Sequence, residues 1–207
     1  MPRVGILGGA FNPPHLGHLV CAQEALVQLE LDRVQLLPVG VAPHRTLEDD
    51  PGAEARFEMA ELAVDGDERF AVSRIELDRP GPSYTVDTLE ALRAGPLEDE
   101  PTLILGADQA AALPTWHRPE RVLELARVAA VERVGWPREE VARRLAGLPG
   151  SDRLEFVHMP LIEISSSDVR RRVAEGLPVR YLVPGPVAGY IEQHGLYGAG
   201  ERTGVGR

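Results

Sequence analysis

The chain alternates between short runs of consecutive apolar residues and longer segments in which apolar residues recur every three or four positions. The short runs are typical of buried strands, and the periodic segments predict helices with one apolar face. The predicted strands cover residues 4–7, 34–38, 70–73, 102–105, 127–131 and 155–158. The predicted helices cover residues 16–29, 54–64, 83–94, 119–125, 137–145, 165–175 and 187–193.

This alternation predicts an α/β fold, a parallel sheet with helices on both faces and a small helical part at the C-terminal end. Ligands of such sheets bind beyond the carboxyl ends of the strands, where the strand order reverses. Three turns after predicted strands contain residues suited to chemistry, at 8–18, 38–45 and 106–116. In the last of them, residues 106–108 are predicted to form the turn that ends the fourth strand. These turns define the candidate site.

The composition is that of a soluble globular protein: 43% of the 207 residues are apolar, 26% are charged, and the formal net charge is −10. An acidic balance argues against a protein that coats nucleic acid, and no apolar run is long enough to span a bilayer. The start of the chain lacks a leader pattern, and one cysteine excludes an internal disulfide. We therefore expect a cytoplasmic protein with one domain over residues 1–197 and a flexible tail over 198–207. The sequence leaves open whether it forms a homo-oligomer.

All 22 basic residues are arginine, because the chain contains no lysine. This excludes Schiff-base chemistry and the lysine-dependent phosphate sites of P-loop proteins and kinases. The chain also contains one asparagine, Asn12, in the turn after the first predicted strand.

The turn at residues 8–18 has the features of an anion site. Gly8 and Gly9 let the backbone approach a ligand closely, and the following helix start offers free N–H groups. His15 and His18 are three residues apart, so both can face one ligand, and Gly17 leaves space between them. Imidazoles there could donate hydrogen bonds to a phosphate whose charge grows during a reaction. The alternative is a tight turn with two histidines at a helix start.

A second candidate for phosphate binding is the serine run that precedes Arg170. Serines before a helix are first of all N-caps, but the same geometry can aim hydroxyl and N–H groups at a polyphosphate. No carboxylate cluster suggests a metal held by protein alone, so we expect Mg²⁺ to arrive on the phosphates of a substrate. Together the two elements predict in-line substitution at phosphorus.

The first turn resembles the GG[TS]F[DN]PxHxGH signature of the nucleotidyltransferases, and residues 164–170 resemble their ISSTxxR motif. Further segments resemble those of the nicotinate-mononucleotide adenylyltransferases within that family, in the same order from about residue 2 to 197. They are Pro38, residues 43–45, Arg56, Met59, residues 81–89 and 106–108, Leu113, Trp116, and residues 181–184 and 190–191. The resemblance implies a Rossmann-like fold.

The resemblance implies that the phosphate of nicotinate mononucleotide attacks the α-phosphorus of ATP, which gives nicotinate adenine dinucleotide and pyrophosphate. It implies catalytic roles for His15, His18 and Arg170. It implies that ATP binds to Gly8, Gly9, Ala10, Phe11, His15, His18, Gly106, Asp108, Ile164, Ser165, Ser166 and Arg170. Nicotinate mononucleotide would bind to Asn12, His44, Arg45, Tyr84, Thr85 and Trp116, with Trp116 stacked on the pyridine ring.

Two residues depart from the family pattern. Ala10 replaces a threonine or serine, which removes a hydroxyl near the triphosphate. Arg45 replaces a lysine, which keeps the charge and changes the geometry.

Four alternatives stay open at this stage. A related enzyme that uses phosphopantetheine would not explain residues 44–45 or 83–89. A nicotinamide-preferring enzyme differs by one functional group on the pyridine ring. A fragment of a class I aminoacyl-tRNA synthetase should carry a lysine-bearing loop. A non-catalytic nucleotide sensor on the same fold would be expected to have lost its histidines.

Overall fold

The protein was analysed as a computed structural model, which describes residues 3–43, 46–95 and 100–199. Six strands form one sheet, and every adjacent pair in it is parallel. They are β1 (Val4–Gly9), β2 (Arg33–Pro38), β3 (Phe70–Val72), β4 (Thr102–Gly106), β5 (Arg127–Val131) and β6 (Glu155–Val157). Their order is β3-β2-β1-β4-β5-β6. The order therefore reverses between β1 and β4, and the predicted ligand position lies at the carboxyl ends of these two strands.

Eight α-helices within the described residues connect and cover the strands. They are α1 (Leu16–Gln28), α2 (Ala53–Val64), α3 (Thr85–Ala94), α4 (Ala107–Ala112), α5 (Pro119–Leu125), α6 (Arg138–Leu145), α7 (Ser166–Ala174) and α8 (Gly185–Gln193). Short 3₁₀ turns add residues Leu113–Thr115, Ser151–Arg153 and Leu196–Gly198. None of the helices in these ranges is long and apolar enough to cross a membrane. Residues 200–207 of the predicted tail lie outside the described residues.

Apolar side chains divide into two cores because successive residues of a strand point to opposite faces of the sheet. In β4, Leu103 and Leu105 pack on one face with α3 to α6, while Ile104 packs on the other face with α1. A third cluster joins α2 to α7 and α8 and forms the predicted helical part at the C-terminal end. The predicted α/β class and the helices on both faces are therefore confirmed.

Two predicted boundaries were wrong because contacts with remote parts of the chain outweighed the local sequence signals. Residues 106–108 are not a turn: Gly106 ends β4 and α4 begins directly at Ala107. The third helix begins at Thr85 rather than at Ser83. The Ser83 hydroxyl instead accepts hydrogen bonds from the N–H groups of Gly40 and Val41, at 3.2 and 3.3 Å.

Candidate active site

A cavity of about 820 Å³ lies at the carboxyl ends of β1, β4 and β5. Its walls include the start of α1, the segment from Val131 to Arg138 and the segment from Met159 to Ser165. Six residues predicted to bind ATP line it, namely Gly8, His15, His18, Gly106, Ile164 and Ser165. The cavity thus brings together the segments 8–18 and 106–116 and the segment that leads into α7, as expected for parallel strands.

The two histidines of the first turn form a stacked pair. Their ring centroids are 3.8 Å apart, and the rings are tilted by 30°. The N–H group of His15 donates to Nδ1 of His18 at 3.2 Å, which places the proton of a neutral His18 on Nε2. Gly17 leaves room for the His15 ring, because a Cβ there would lie only 3.0 Å from its Cε1 and Nδ1. The contact between the two residues thus fixes the tautomer of His18.

Both imidazoles are held in the neutral form. Burial, and secondarily the positive charge of Arg133, lowers the pKa of His15 to about 4. Burial also lowers the pKa of His18 well below its usual range, with further contributions from His15 and Arg133. A neutral imidazole remains a hydrogen-bond donor, so the pair can still bind phosphate oxygens. It adds no net charge to the cavity at pH 7.

The two carboxylate oxygens of Asp108, on the first turn of α4, differ in their surroundings. Its Oδ2 accepts a hydrogen bond from Arg133 at 3.1 Å, while its Oδ1 is buried and has no partner among the described residues. A Cβ at position 106 would lie 2.7 Å from this Oδ1, so Gly106 is required for the observed carboxylate position. A buried acceptor without a donor is costly. Asp108 is not among the residues that line the cavity, so its predicted contact with ATP remains a prediction.

Arg133 is a site residue that the sequence did not single out. It follows β5, lines the cavity, and leaves 62% of its side chain exposed. Arg138 also lines the cavity, and its guanidinium is paired with Glu132. Arg133 faces the histidine pair closely enough to affect both pKa values, and it forms an ion pair with Asp108.

The serine run caps α7, as predicted, and part of it also faces the cavity. Ser165 is the N-cap of α7: its hydroxyl accepts from the Asp168 N–H at 3.1 Å and donates to the Asp168 carboxylate at 2.7 Å. Ser165 also lines the cavity. Ser166 donates to the carbonyl of Pro13 at 2.8 Å and so joins α7 to the first turn. Capping therefore does not prevent this segment from facing a phosphate.

Arg170 lies beside Asn12 rather than among the residues that line the cavity. Its guanidinium is buried and donates to the Asn12 carbonyl at 3.0 Å, and it lies 3.4 Å from the Asp49 carboxylate. Asn12 itself is 3% exposed. The predicted contacts of Arg170 with ATP and of Asn12 with nicotinate mononucleotide remain predictions.

A second buried arginine, Arg56, also binds the backbone of the turn that follows β1. It donates to the carbonyls of Ala10, Val39 and Gly40 and pairs with Asp50 at 2.9 Å. The turns after β1 and β2 are thus joined through one side chain of α2.

The aromatic ring of Phe11 links the glycines of the first turn to the histidine pair. Phe11 is buried and packs its ring edge on His18, with centroids 5.0 Å apart. A Cβ at Gly9 would lie 3.2 Å from the same ring. Direct ATP contacts of Gly9, Ala10 and Phe11 remain predictions.

The residues predicted for the second substrate lie around the N-terminus of α3. Thr85 is the first residue of this helix, where a backbone N–H has no partner within the helix. The ring of Tyr84 lies 4.6 Å from that of His117, which follows the half-buried Trp116. The structure therefore brings Tyr84, Thr85 and the Trp116 segment together. His44 and Arg45 lie outside the described residues.

The described parts of the chain contain no group of three or more His, Cys, Asp or Glu side chains that could hold a metal ion.

The comparisons with known proteins identify the class. A model of the cytidylyltransferase-like family matches residues 6–172, so the chain belongs to this family of nucleotidyltransferases. A protein of Thermus thermophilus is 50% identical over 196 residues, which cover 94% of this chain and 99% of that protein. A protein of Thermomicrobium roseum is 43% identical over 198 residues, which cover 95% and 92%. Both are named as probable nicotinate-nucleotide adenylyltransferases, and the chain is a member of that family.

Solved structures confirm the fold at much lower sequence identity. The nicotinic acid mononucleotide adenylyltransferase of Plasmodium falciparum superimposes with a TM-score of 0.78 at 15% identity, covering 96% of this chain and 98% of that one. It has been solved in complex with APC and in complex with NaAD.

Proposed function

We propose that this protein transfers the adenylyl group of ATP to nicotinate mononucleotide, with release of pyrophosphate, in the biosynthesis of NAD. The observation that carries the proposal is the stacked pair of His15 and His18 beside the cavity at the β1–β4 reversal. Membership of the nicotinate-nucleotide adenylyltransferase family supplies the substrates.

In the reaction, a phosphate oxygen of nicotinate mononucleotide forms a bond to the α-phosphorus of ATP. The bond from this phosphorus to the bridging oxygen of pyrophosphate breaks, and pyrophosphate leaves with the electron pair. No covalent intermediate with the protein is required, so catalysis consists of positioning and charge stabilisation. His18 would donate through Nε2 to phosphate oxygens, because its Nδ1 is already occupied by the His15 N–H.

Arg133 would supply positive charge that the neutral histidines do not. Its side chain is exposed at the cavity, and its partner Asp108 is itself a proposed ligand of ATP. ATP hydroxyls would contact Oδ1 of Asp108 while the phosphates attract the guanidinium, so binding would rearrange this ion pair. Mg²⁺ would enter with ATP and offset phosphate charge.

The acceptor would bind on the side of the first turn that faces α3. The N–H of Thr85, which has no partner within α3, suits the carboxylate of the nicotinate ring. Trp116 offers an aromatic face to the electron-poor pyridine ring. Asn12, Tyr84, His44 and Arg45 complete the set that we propose for this substrate.

The direct test measures pyrophosphate release from ATP and Mg²⁺ with three acceptors offered separately: nicotinate mononucleotide, nicotinamide mononucleotide and phosphopantetheine. We expect turnover with nicotinate mononucleotide to be fastest. Preference for either other acceptor would contradict the proposed pyridine site while keeping adenylyl transfer. ATP binding without release for any acceptor would contradict catalysis and favour a sensor.

A further inference from the structure

Asn12 is the only asparagine of the chain, and three distant segments converge on it. Its Nδ2 donates to the carbonyl of Glu48 at 2.8 Å, and its own carbonyl accepts from Arg170 at 3.0 Å. Its Oδ1 accepts from the hydroxyl of Tyr197 at 2.7 Å. Tyr197 follows Asn12 by 185 residues and lies near the end of the described part of the chain.

The backbone at Tyr197 adopts a conformation that is unfavourable for a tyrosine, which indicates that the side chain has a specific role. Tyr197 has a φ of 57° and a ψ of 28°, in the left-handed region. Its neighbours Gly195 and Gly198 adopt positive φ without a Cβ penalty, whereas a tyrosine is strained there. A glycine would fit this backbone better, but it would carry no hydroxyl to Asn12. The strained backbone of Tyr197 thus accompanies the hydrogen bond from its hydroxyl to Asn12.

A short series of contacts leads from Tyr197 to the reacting groups. Asn12 is adjacent to Phe11, whose ring edge packs on His18. Asn12 also precedes His15 by three residues, and the intervening Pro13 is held by Ser166. Without its donor from Tyr197, the buried side-chain amide of Asn12 would lose one of the two hydrogen bonds that fix its orientation. The turn that carries the histidines would then be free to shift.

We propose that Tyr197 is a positioning residue for adenylyl transfer, which acts through Asn12 to hold the histidine-bearing turn in its reactive geometry. The proposal rests on the proposed function, and it assigns the end of the chain a part in the active site. Displacements of about 1 Å at reacting groups are enough to slow enzymes by about two orders of magnitude. We expect the loss of this single hydroxyl to reduce kcat by about tenfold.

The test compares Tyr197→Phe with Tyr190→Phe. Tyr190 is the control: it belongs to the same C-terminal cluster, and its hydroxyl donates at 2.7 Å to the carboxylate of Glu58 in a more exposed position. Both variants lose one hydroxyl and one hydrogen bond of equal length. We expect Tyr197→Phe to lower kcat with smaller changes in either KM, and Tyr190→Phe to keep wild-type kcat. Similar kcat values for wild type and both variants, or equal losses in both, would overturn the proposal.

A double-variant cycle tests whether the effect passes through Asn12. In an Asn12→Leu background, which lacks the acceptor, Tyr197→Phe should cause no further loss of kcat. Additive losses would show that Tyr197 acts by another route and would overturn the proposal.

Hydrogen–deuterium exchange separates this proposal from the proposed function. In the protein without substrates, Tyr197→Phe should accelerate amide exchange over residues 8–19, whereas Tyr190→Phe should not. A wild-type protein without pyrophosphate release would contradict the proposed function alone, since the exchange result does not depend on turnover. Unchanged exchange in Tyr197→Phe would overturn the positioning role even in an active enzyme.

Discussion

Acidification should destabilise this protein through the buried histidine pair. His15 is 8% exposed, and burial lowers its pKa from 6.5 to about 4. In the unfolded chain the same imidazole titrates near 6.5. Between these two pH values the unfolded state therefore binds a proton that the folded state does not. The stability that depends on a neutral His15 is therefore fully present at pH values above 6.5, the pKa in the unfolded chain. The free energy of unfolding then decreases as the pH falls towards 4.

The magnitude follows from the two pKa values of His15. One pKa unit corresponds to about 1.4 kcal/mol, so the full shift is worth about 3 kcal/mol. Between pH 8 and pH 5 the folded state stays largely neutral, and the free energy of unfolding falls by about 2 kcal/mol on account of His15. His18 contributes in the same direction, because its pKa is also lowered.

Urea unfolding at pH 8, 6.5 and 5 measures this loss. The comparison is between wild type, His15→Gln, which cannot take up the proton, and His194→Gln at the exposed end of α8. The loss between pH 8 and pH 5 should be smaller by about 2 kcal/mol in His15→Gln, and it should be unchanged in His194→Gln. An equal loss in wild type and His15→Gln would refute the argument that burial keeps His15 neutral.

Four further changes test the proposed roles in assays of pyrophosphate release. His18→Ala should lower kcat by about 10²-fold, the usual cost of removing a transition-state donor, and an unchanged kcat would remove His18 from the mechanism. Gly106→Ala places a Cβ 2.7 Å from Asp108 Oδ1, so the KM for ATP should rise with little change in that of the acceptor; unchanged ATP kinetics would contradict the role of this carboxylate. Arg133→Gln should raise the KM for ATP and make it less dependent on salt concentration, whereas wild-type kinetics would place the phosphates elsewhere. Trp116→Ala should raise the KM for nicotinate mononucleotide more than that for ATP, and the opposite pattern would relocate the pyridine ring.

The first turn was predictable from sequence because its chemistry is local. Gly8 at the end of β1, His15, and Gly17 and His18 at the start of α1 all belong to one strand–helix junction, so their spacing alone brings them together. The parallel sheet then fixes where this connection lies relative to the end of β4. This is why Gly8, Gly106 and the two histidines meet at one cavity, as the alternation of strands and helices predicts.

Arg133 could not be found in the same way, because it is one of 22 arginines and its neighbours are remote in sequence. Its partner Asp108 is 25 residues away, and the two meet only because β4 and β5 are adjacent in the sheet. The neutral state of the histidines is likewise a result of tertiary burial. The spacing of His15 and His18 indicates that they can share a ligand, but it contains no information about their surroundings.

The turn predicted at residues 106–108 failed for a different reason. A glycine directly after a strand, with an aspartate two residues later, is typical of a connecting loop. Here the helix follows the strand without a loop, and the alanines at positions 107 and 110 are completely enclosed by the core. Tertiary packing therefore decided the conformation where local signals favoured a turn.

The two buried arginines show how the remote parts of the chain shape the first turn. Arg56 binds the carbonyl of Ala10, and Arg170 binds the carbonyl of Asn12. In a trans peptide unit the N–H points opposite to the C=O, so the contact at Ala10 directs the N–H of Phe11 away from Arg56. Pro13 and Pro14 offer no N–H at all. The buried guanidinium groups of Arg56 in α2 and Arg170 in α7 thus orient the backbone of the turn that carries the histidine pair.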